Sequence, residues 1–596
     1  MSAVAPRGGE AAVRRRLHDL SPPAPPAWLL AAAFAVAYVI VAPISSDLAA
    51  AGYRSELVSR AGLTLWDNGW YGGHHVLAYS VLAPALGAAL SPQLLAGASA
   101  VVATALFAVL VQRRYSPRAA YVATLWFALG ASVTLLANRV PFELGLALAL
   151  GALVAASRAV RSPAHAGTTG RTRAASLGLA VALAVLSALA SPVAGAFLAL
   201  AALAWTLAGD ARGTGVALAA AAIVPVALLE VAFPEGGTQP FVASAFYPAL
   251  AAVLVLAAAL PAHERVLRAG VLLYALVMIG AYVIPSAGGG HADRLGSLLA
   301  GPLLACALLG GAASSAPPAP TSRRWPGSLG WRGSLGSPAS VGSRARATRP
   351  WRTWALVALA PALLYWQVRA PIADFVSAAG DPAAKRSYYA PLLAELQRLG
   401  IGYGARPARV EVVPSRDHAE ARWVAARVSI ARGWERQLDT SRDALFYTGA
   451  KRLSAARYAA WMRANAVSYV ALPDAPVDYS ARAEARLVRE RPPYLGEIWR
   501  SSHWRLFAVG SPQPLAQPPA TLTRLGADSF TVTAPGAGSY VVRVRFTPYW
   551  ALASGRGCVR RSRGGWTTVQ TRGPGTVDVA IEFSLSRVFE HGPRCD

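Results

Sequence analysis

Three carboxylates, two adjacent histidines and several aromatic side chains fall in one short polar stretch between apolar walls. Ser45-Ser46-Asp47 leads into Tyr53-Arg54-Ser55-Glu56 and then Trp66-Asp67-Asn68-Gly69-Trp70-Tyr71-Gly72-Gly73-His74-His75. Asp47 stands where the first membrane-length apolar run ends. Charge beside a bilayer is costly and points to function. A partly desolvated carboxylate has its pKa raised toward the working range, which suits Asp47 to act as general base toward an acceptor hydroxyl. Glu56 and Asp67 are candidates to assist it, or to hold a divalent cation (Mg or Mn) through oxygen ligands. His74 and His75 are candidates for a phosphate or the metal. As neighbours they point different ways, so sharing a site demands irregular backbone. Arg54, Arg139 and Arg294, on one side by the topology below, are candidates to clamp a phosphate or pyrophosphate through bidentate hydrogen bonds. The competing reading is structural: such carboxylates and arginines pair with each other as a cap. Trp66, Trp70 and Tyr71 are likewise either interfacial anchors or sugar-stacking platforms.

The elements that must position these residues are mostly membrane helices. The chain has 596 residues, 54% of them hydrophobic and only 15% charged, unlike an ordinary soluble protein. Apolar runs of spanning length lie near 28–45, 94–112, 119–137, 142–157, 175–191, 193–209, 214–233, 241–260, 269–286, 295–312 and 352–369, about eleven spans in all. The net charge of +27 is almost all arginine, with Lys385 and Lys451 the only lysines. The arginines cluster between apolar runs, as a topology signal does, and this argues against a nucleic-acid partner. Arg14-Arg15-Arg16, Arg113-Arg114, Arg158, Arg161, Arg171, Arg173, Arg212, Arg265, Arg268 and those from Arg323 to Arg352 fall on one side, which should be cytoplasmic. The other side carries Asp47 to His75, Asn138-Arg139, Glu235 and His291-Ala292-Asp293-Arg294. This predicts a multi-pass protein of the cytoplasmic membrane, its N-terminus (1–27) cytoplasmic and its C-terminus extracytoplasmic. The first run is long and lacks a convincing cleavage site, so it is expected to stay as an anchor. Residues 76–90 are short and interrupted by Pro84. They read as a helix lying in or dipping into the outer face, part of an outer loop over 46–92.

Residues 313–351, rich in Ser, Pro, Gly and Arg, read as a disordered cytoplasmic linker before the last span. Helical and strand patterns alternate over 370–510, predicting an α/β module. Tyr388–Leu399, His418–Val428 and Tyr458–Asn465 are helical, and 409–413, 467–472 and 504–509 are strands. Over 511–596 the period becomes two, in 529–532, 540–546, 567–569 and 577–583, predicting an antiparallel β-sandwich. Cys306 lies in an apolar span, whereas Cys558 and Cys595 both fall in the sandwich. A Cys558–Cys595 disulfide is the natural inference in an oxidising compartment. No CxxC or HExxH spacing occurs.

An acidic residue after the first span, the long outer loop with Trp66-Asp67-Asn68-Gly69-Trp70-Tyr71-Gly72-Gly73, the short Tyr79-Ser80-Val81-Leu82-Ala83-Pro84 piece and the basic Arg113-Arg114 turn together resemble the GT-C superfamily of integral-membrane glycosyltransferases. Protein O-mannosyltransferases and actinobacterial arabinofuranosyl- and mannosyltransferases are familiar members, and the Ala- and Arg-heavy composition resembles that of high-GC actinobacteria. The resemblance covers about the first 310 residues. It implies a polyprenyl-phosphate-linked sugar donor, an extracytoplasmic glycan, lipid or protein acceptor in the cell envelope, inversion at the anomeric carbon and a base at Asp47. Departures are visible. Many members place two adjacent acidic residues in this loop, whereas Asp47 is flanked by Ser46 and Leu48, which leaves metal use open. The WWDYG signature of oligosaccharyltransferases is absent. Two other classes stand beside this reading: a transporter or flippase of envelope precursors, and a non-catalytic membrane anchor that displays the C-terminal module.

Overall fold

The computed structural model describes residues 25–161, 168–209, 211–310, 350–404, 406–447 and 453–595. Nearly all of the expected 1–27 tail and of the 313–351 linker lies outside these residues. Every one of the eleven apolar runs is helical, from Ala27–Val41 to Pro350–Ala378. Among the described residues, eight helices are long and apolar enough to cross a membrane. The count of eleven is therefore not reproduced on length alone: Ala27–Val41, Pro192–Ala208 and Ala243–Ala259 are shorter. The last helix also runs to Ala378, nine residues past the expected end at 369. The bundle packs on alanine. Ala96, Ala100, Ala103, Ala119, Ala120 and Ala123 are fully buried between neighbouring helices, and such small side chains allow close approach where lipid supplies no hydrophobic drive.

The stretch read as an outer loop is more ordered than its polarity suggests. Ser46–Ala61 is a helix bent 76° from Ala27–Val41, the break falling at Ala42, whose φ is 45°, and Pro43. A two-residue hairpin follows, pairing Trp66 with His75 and Asp67 with His74. Its turn needs positive φ at Tyr71, Gly72 and Gly73, and a Cβ at Gly73 would meet the Trp66 ring at 2.4 Å. Ala83–Leu90 is then a single short helix of eight residues, too short to cross, as the interruption at Pro84 predicts.

Two sheet-rich units sit over this end of the bundle. The first has a five-stranded sheet in the order 429–430, 409–412, 467–473, 504–509, 495–500, the first three parallel and the last two antiparallel. The helix expected over His418–Val428 shrinks to Glu420–Trp423. The second is a sandwich of two four-stranded antiparallel sheets, one ordered 538–545, 566–571, 557–561, 594–595 and the other 550–554, 575–581, 529–534, 521–525. Cys558 and Cys595 face each other across paired strands and are joined by a disulfide. The hairpin is the wedge between the units. Trp66 belongs to the sandwich core, while Tyr53, Trp70 and Tyr71 belong to the core of the α/β unit. The opposite end of the bundle carries the arginine-rich corners, where Arg114 pairs with Glu264 at 2.9 Å.

Candidate active site

Two chain corners meet at the rim of the bundle under the α/β unit. Asn138 is fully buried in the left-handed region, with φ 55°, a conformation its short polar side chain tolerates. Its amide donates to the carbonyl of Pro43 and to Ser45 Oγ, both at 3.1 Å, and its carbonyl accepts from the Tyr38 hydroxyl at 2.5 Å. Ser45 Oγ donates in turn to the Ala137 carbonyl at 3.0 Å. This clamp fixes the residues just beyond it. Asp47 enters the first turn of Ser46–Ala61, where the helix dipole favours a carboxylate, and Arg139 begins the next helix.

Arg139 Nε lies 3.6 Å from Asp47 Oδ2, and Arg139 Nη2 lies 3.6 Å from Asp374 Oδ2. Both pairs are too long for hydrogen bonds, so neither carboxylate is locked. Arg294 stands within electrostatic reach of Asp47, Arg139, Tyr79 and Glu143, its guanidinium 5.6 Å from the Phe142 ring centre. It forms no ion pair among the described residues. Its helix is seated by Trp366 Nε1 donating to Asp293 at 2.8 Å and by the Tyr274 hydroxyl donating to the Ala292 carbonyl at 2.8 Å. Tyr79 closes the group. Burial, then the nearby Asp47 charge, push its phenol up to about 12, so it stays a neutral donor. Asp47, Arg139 and Arg294 are thus brought together, joined by Asp374, Tyr79 and Asn138, which the sequence reading did not single out. A usable signal existed for Asp374: it is a carboxylate shortly after the last apolar run, as Asp47 is after the first.

The remaining candidates lie elsewhere. Glu56 is nine residues after Asp47 on one helix, two and a half turns away, and so faces the opposite side, toward Arg422. Asp67 is fully buried and accepts from the Tyr53 hydroxyl at 2.9 and 3.0 Å and from the Gly69 N–H at 3.1 Å. Burial raises its carboxyl to about 6, against the opposing pull of those hydrogen bonds. His74 stacks on Trp70 and lies 3.9 Å from Asp67. Burial lowers its imidazole to about 3, so it is neutral and no charge pair forms. His75 faces the other way, Nδ1 2.9 Å from Glu235 and Nε2 3.0 Å from Thr547 Oγ1. Burial alone would raise Glu235, but Arg442 at 2.7 Å and His75 hold it down near 2. Arg54 borders the Asp47 group, its guanidinium 4.1 Å from the Tyr79 ring centre, yet its charge is matched by Glu435 at 2.9 Å.

The aromatic candidates require a correction. Trp66, Trp70 and Tyr71 are 1%, 0% and 2% exposed, so none presents a ring face to a sugar. Trp66 packs on Trp550 and His75, Trp70 donates through Nε1 to the Ala421 carbonyl at 2.8 Å, and the Tyr71 hydroxyl accepts from the Glu435 N–H at 3.1 Å. They are also not membrane anchors, since they sit inside the seam with the C-terminal units. The divalent cation has a poor donor set: among the described residues no three His, Cys, Asp or Glu side chains converge as metal ligands. Asp47 and Asp374 both lean on Arg139 instead.

No family model matches the chain, and no curated protein matches it either. Among solved structures it is similar to arabinofuranosyltransferase AftD from Mycobacteria, at 14% identity and TM-score 0.47, covering 95% of this chain and 60% of that one. It is also similar to the oligosaccharyltransferase of Archaeoglobus fulgidus in the apo form, at 13% identity and TM-score 0.44 over 81% and 74% of the two chains. Archaeal oligosaccharyltransferase AglB from Archaeoglobus fulgidus, with an inhibitory peptide and a dolichol-phosphate, gives 13% identity and TM-score 0.43 over 75% and 69%. The chain spans about 60% of the length of the mycobacterial enzyme.

Proposed function

We propose that the protein is a membrane glycosyltransferase that moves a sugar from a polyprenyl-phosphate donor to an acceptor at the end of the bundle covered by the C-terminal units. The observation that carries this reading is the loosely held Asp47 carboxylate beside Arg139 and Arg294 at the rim of the helices. A base and two guanidiniums at that depth match what the reaction needs: one group to take a proton and two to stabilise a departing lipid phosphate.

In the reaction, Asp47 accepts the proton of the acceptor hydroxyl as its oxygen attacks the anomeric carbon from the face opposite the phosphate. The bond from the anomeric carbon to the phosphate oxygen breaks, its electron pair leaves with the polyprenyl phosphate, and configuration inverts. Arg294 receives the developing phosphate charge. Arg139 is held between Asp47 and Asp374 and can shift toward the phosphate once Asp47 is protonated and its attraction is lost. Tyr79, neutral, donates a hydrogen bond to sugar or phosphate. No step requires a divalent cation.

The arginine-rich corners lie away from this site and favour the cytoplasm, and the Cys558–Cys595 disulfide fits an oxidising compartment. Both support an extracytoplasmic acceptor in the cell envelope, bound by the C-terminal units. The role of Arg294 is tested by Arg294→Gln, with Arg294→Lys as partial rescue. Binding of polyprenyl phosphate should weaken about tenfold or more in the first, while the fold, read by thermal unfolding, holds. Unchanged binding of polyprenyl phosphate would remove Arg294 from the mechanism.

A further inference from the structure

A cleft stands apart from the Asp47 site. It encloses about 370 Å³ where the end of the span Arg212–Ala232 meets the sandwich. Its polar wall is cationic: Arg442, Arg545 and Arg561, with His75 and His591 beside them. Arg442 is matched by Glu235. Arg545 forms no ion pair among the described residues, although Asp443 and Glu235 stand within electrostatic reach: Nη1 donates to the Gly564 carbonyl at 3.1 Å, Nε to the Tyr71 carbonyl at 3.5 Å, and the guanidinium lies 4.0 Å from the Trp566 ring centre. Arg561 is exposed and forms no ion pair among the described residues. A half-buried guanidinium with no ion-pair partner, as at Arg545, is unfavourable unless an anion joins it.

The other wall is apolar and continues the end of a candidate membrane span. Val231 and Ala232, the last turn of a span, line the cleft with Pro548 and Val588. The sandwich is pinned to that helix end: the Tyr549 hydroxyl donates to the Ala232 carbonyl at 2.6 Å, and Phe583 packs on Phe233 with ring centres 6.0 Å apart. The segment that follows leaves Leu585 and Phe589 75% and 78% exposed, and Val231 is 54% exposed. Large apolar side chains left bare beside the end of a membrane helix belong at the bilayer interface. The cleft thus has a cationic back and an apolar mouth at lipid depth.

We propose that this cleft binds a phosphate-bearing anionic membrane lipid. The headgroup pairs with Arg545 and Arg561, and the acyl chains run from Val588, Leu585 and Phe589 down the flank of Arg212–Ala232. The site is separate from the one that carries the Asp47 chemistry, and its test does not depend on turnover.

The full-length protein in detergent is titrated with dioleoyl phosphatidylglycerol, with phosphatidylcholine and inorganic phosphate as comparison probes. Wild type should take up phosphatidylglycerol in preference to phosphatidylcholine. Arg561→Gln, at an exposed position that should not disturb folding, and Arg545→Gln should each weaken uptake by about fivefold, as one cation near a lipid headgroup commands. A Leu585→Ser/Phe589→Ser double substitution should weaken lipid uptake without altering phosphate binding. Equal uptake by wild type and both arginine variants would overturn the proposal. So would inorganic phosphate displacing the lipid at equal concentration, since the cleft would then recognise an anion and not a lipid.

Discussion

Asn138 holds no charge, yet replacing it should damage the site more than replacing most charged residues there. Asn138→Ala removes four side-chain hydrogen bonds and leaves the Tyr38 hydroxyl and the Pro43 carbonyl without their partner. Each orphaned group costs about 1–3 kcal/mol. Alanine must also keep φ 55°, about 1 kcal/mol more. The total is about 4 kcal/mol, concentrated at the corner that sets Asp47 against Arg139. Asn138→Gly relieves the backbone cost alone and should recover about 1 kcal/mol. Thermal unfolding of the purified protein in detergent gives the stability series, and turnover of a polyprenyl-phosphate sugar gives the activity. The expected order is wild type, glycine, alanine in stability, with turnover lost in both variants. Turnover of the glycine variant within twofold of wild type would show that the clamp does not position Asp47.

The seam over the hairpin should be acid-labile in a defined window. Glu235 is held near 2 in the fold against an ordinary value of 4.5, so it contributes stability above pH 4.5 that is lost as pH falls toward 2, on the order of 3 kcal/mol. Glu235→Gln should therefore be less stable than wild type at pH 7, with the two converging in acid; parallel melting curves from pH 7 to pH 3 would contradict the pairing with Arg442 and His75. Asp67 runs the opposite way. Its carboxyl, raised to about 6, contributes stability below its ordinary value of 3.8 that fades as pH rises through 6, so Asp67→Asn should gain on wild type between pH 4 and pH 8. Reducing Cys558–Cys595 opens a loop of 37 residues and should cost about 4 kcal/mol on the chain-entropy picture, read as a lower melting temperature in dithiothreitol that the Cys558→Ser/Cys595→Ser pair reproduces and makes insensitive to reductant.

Much of this architecture was legible in the sequence, for a physical reason. Membrane helices satisfy their own backbone within one continuous apolar run, so all eleven runs could be located without knowing their neighbours. Strand period did the same for 504–509 and for four of the eight sandwich strands, but it missed 521–525, 594–595 and the pair 550–554 and 557–561, where Gly555 and Gly557 break the alternation. The site was legible only where its residues sit at span ends: Asp47, Arg139 and Arg294 mark themselves by charge beside an apolar run. Trp66, Trp70, Tyr71 and His75 misled because each has a partner hundreds of residues away. Trp70 meets Ala421, His75 meets Thr547, and Trp66 meets Trp550. A polar, aromatic segment that reads as a binding loop is the buried seam between the helices and the two sheet-rich units, and no local pattern distinguishes the two.

The central claim is that Asp47 removes a proton during sugar transfer. Asp47→Asn keeps size and hydrogen bonding but cannot accept that proton. The direct measurement is single-turnover transfer from a polyprenyl-phosphate sugar by full-length wild type and variant, with donor binding followed in parallel. The account predicts donor binding within about threefold of wild type and transfer slowed by about 10²–10⁴. Transfer at the wild-type rate by the asparagine variant would contradict it.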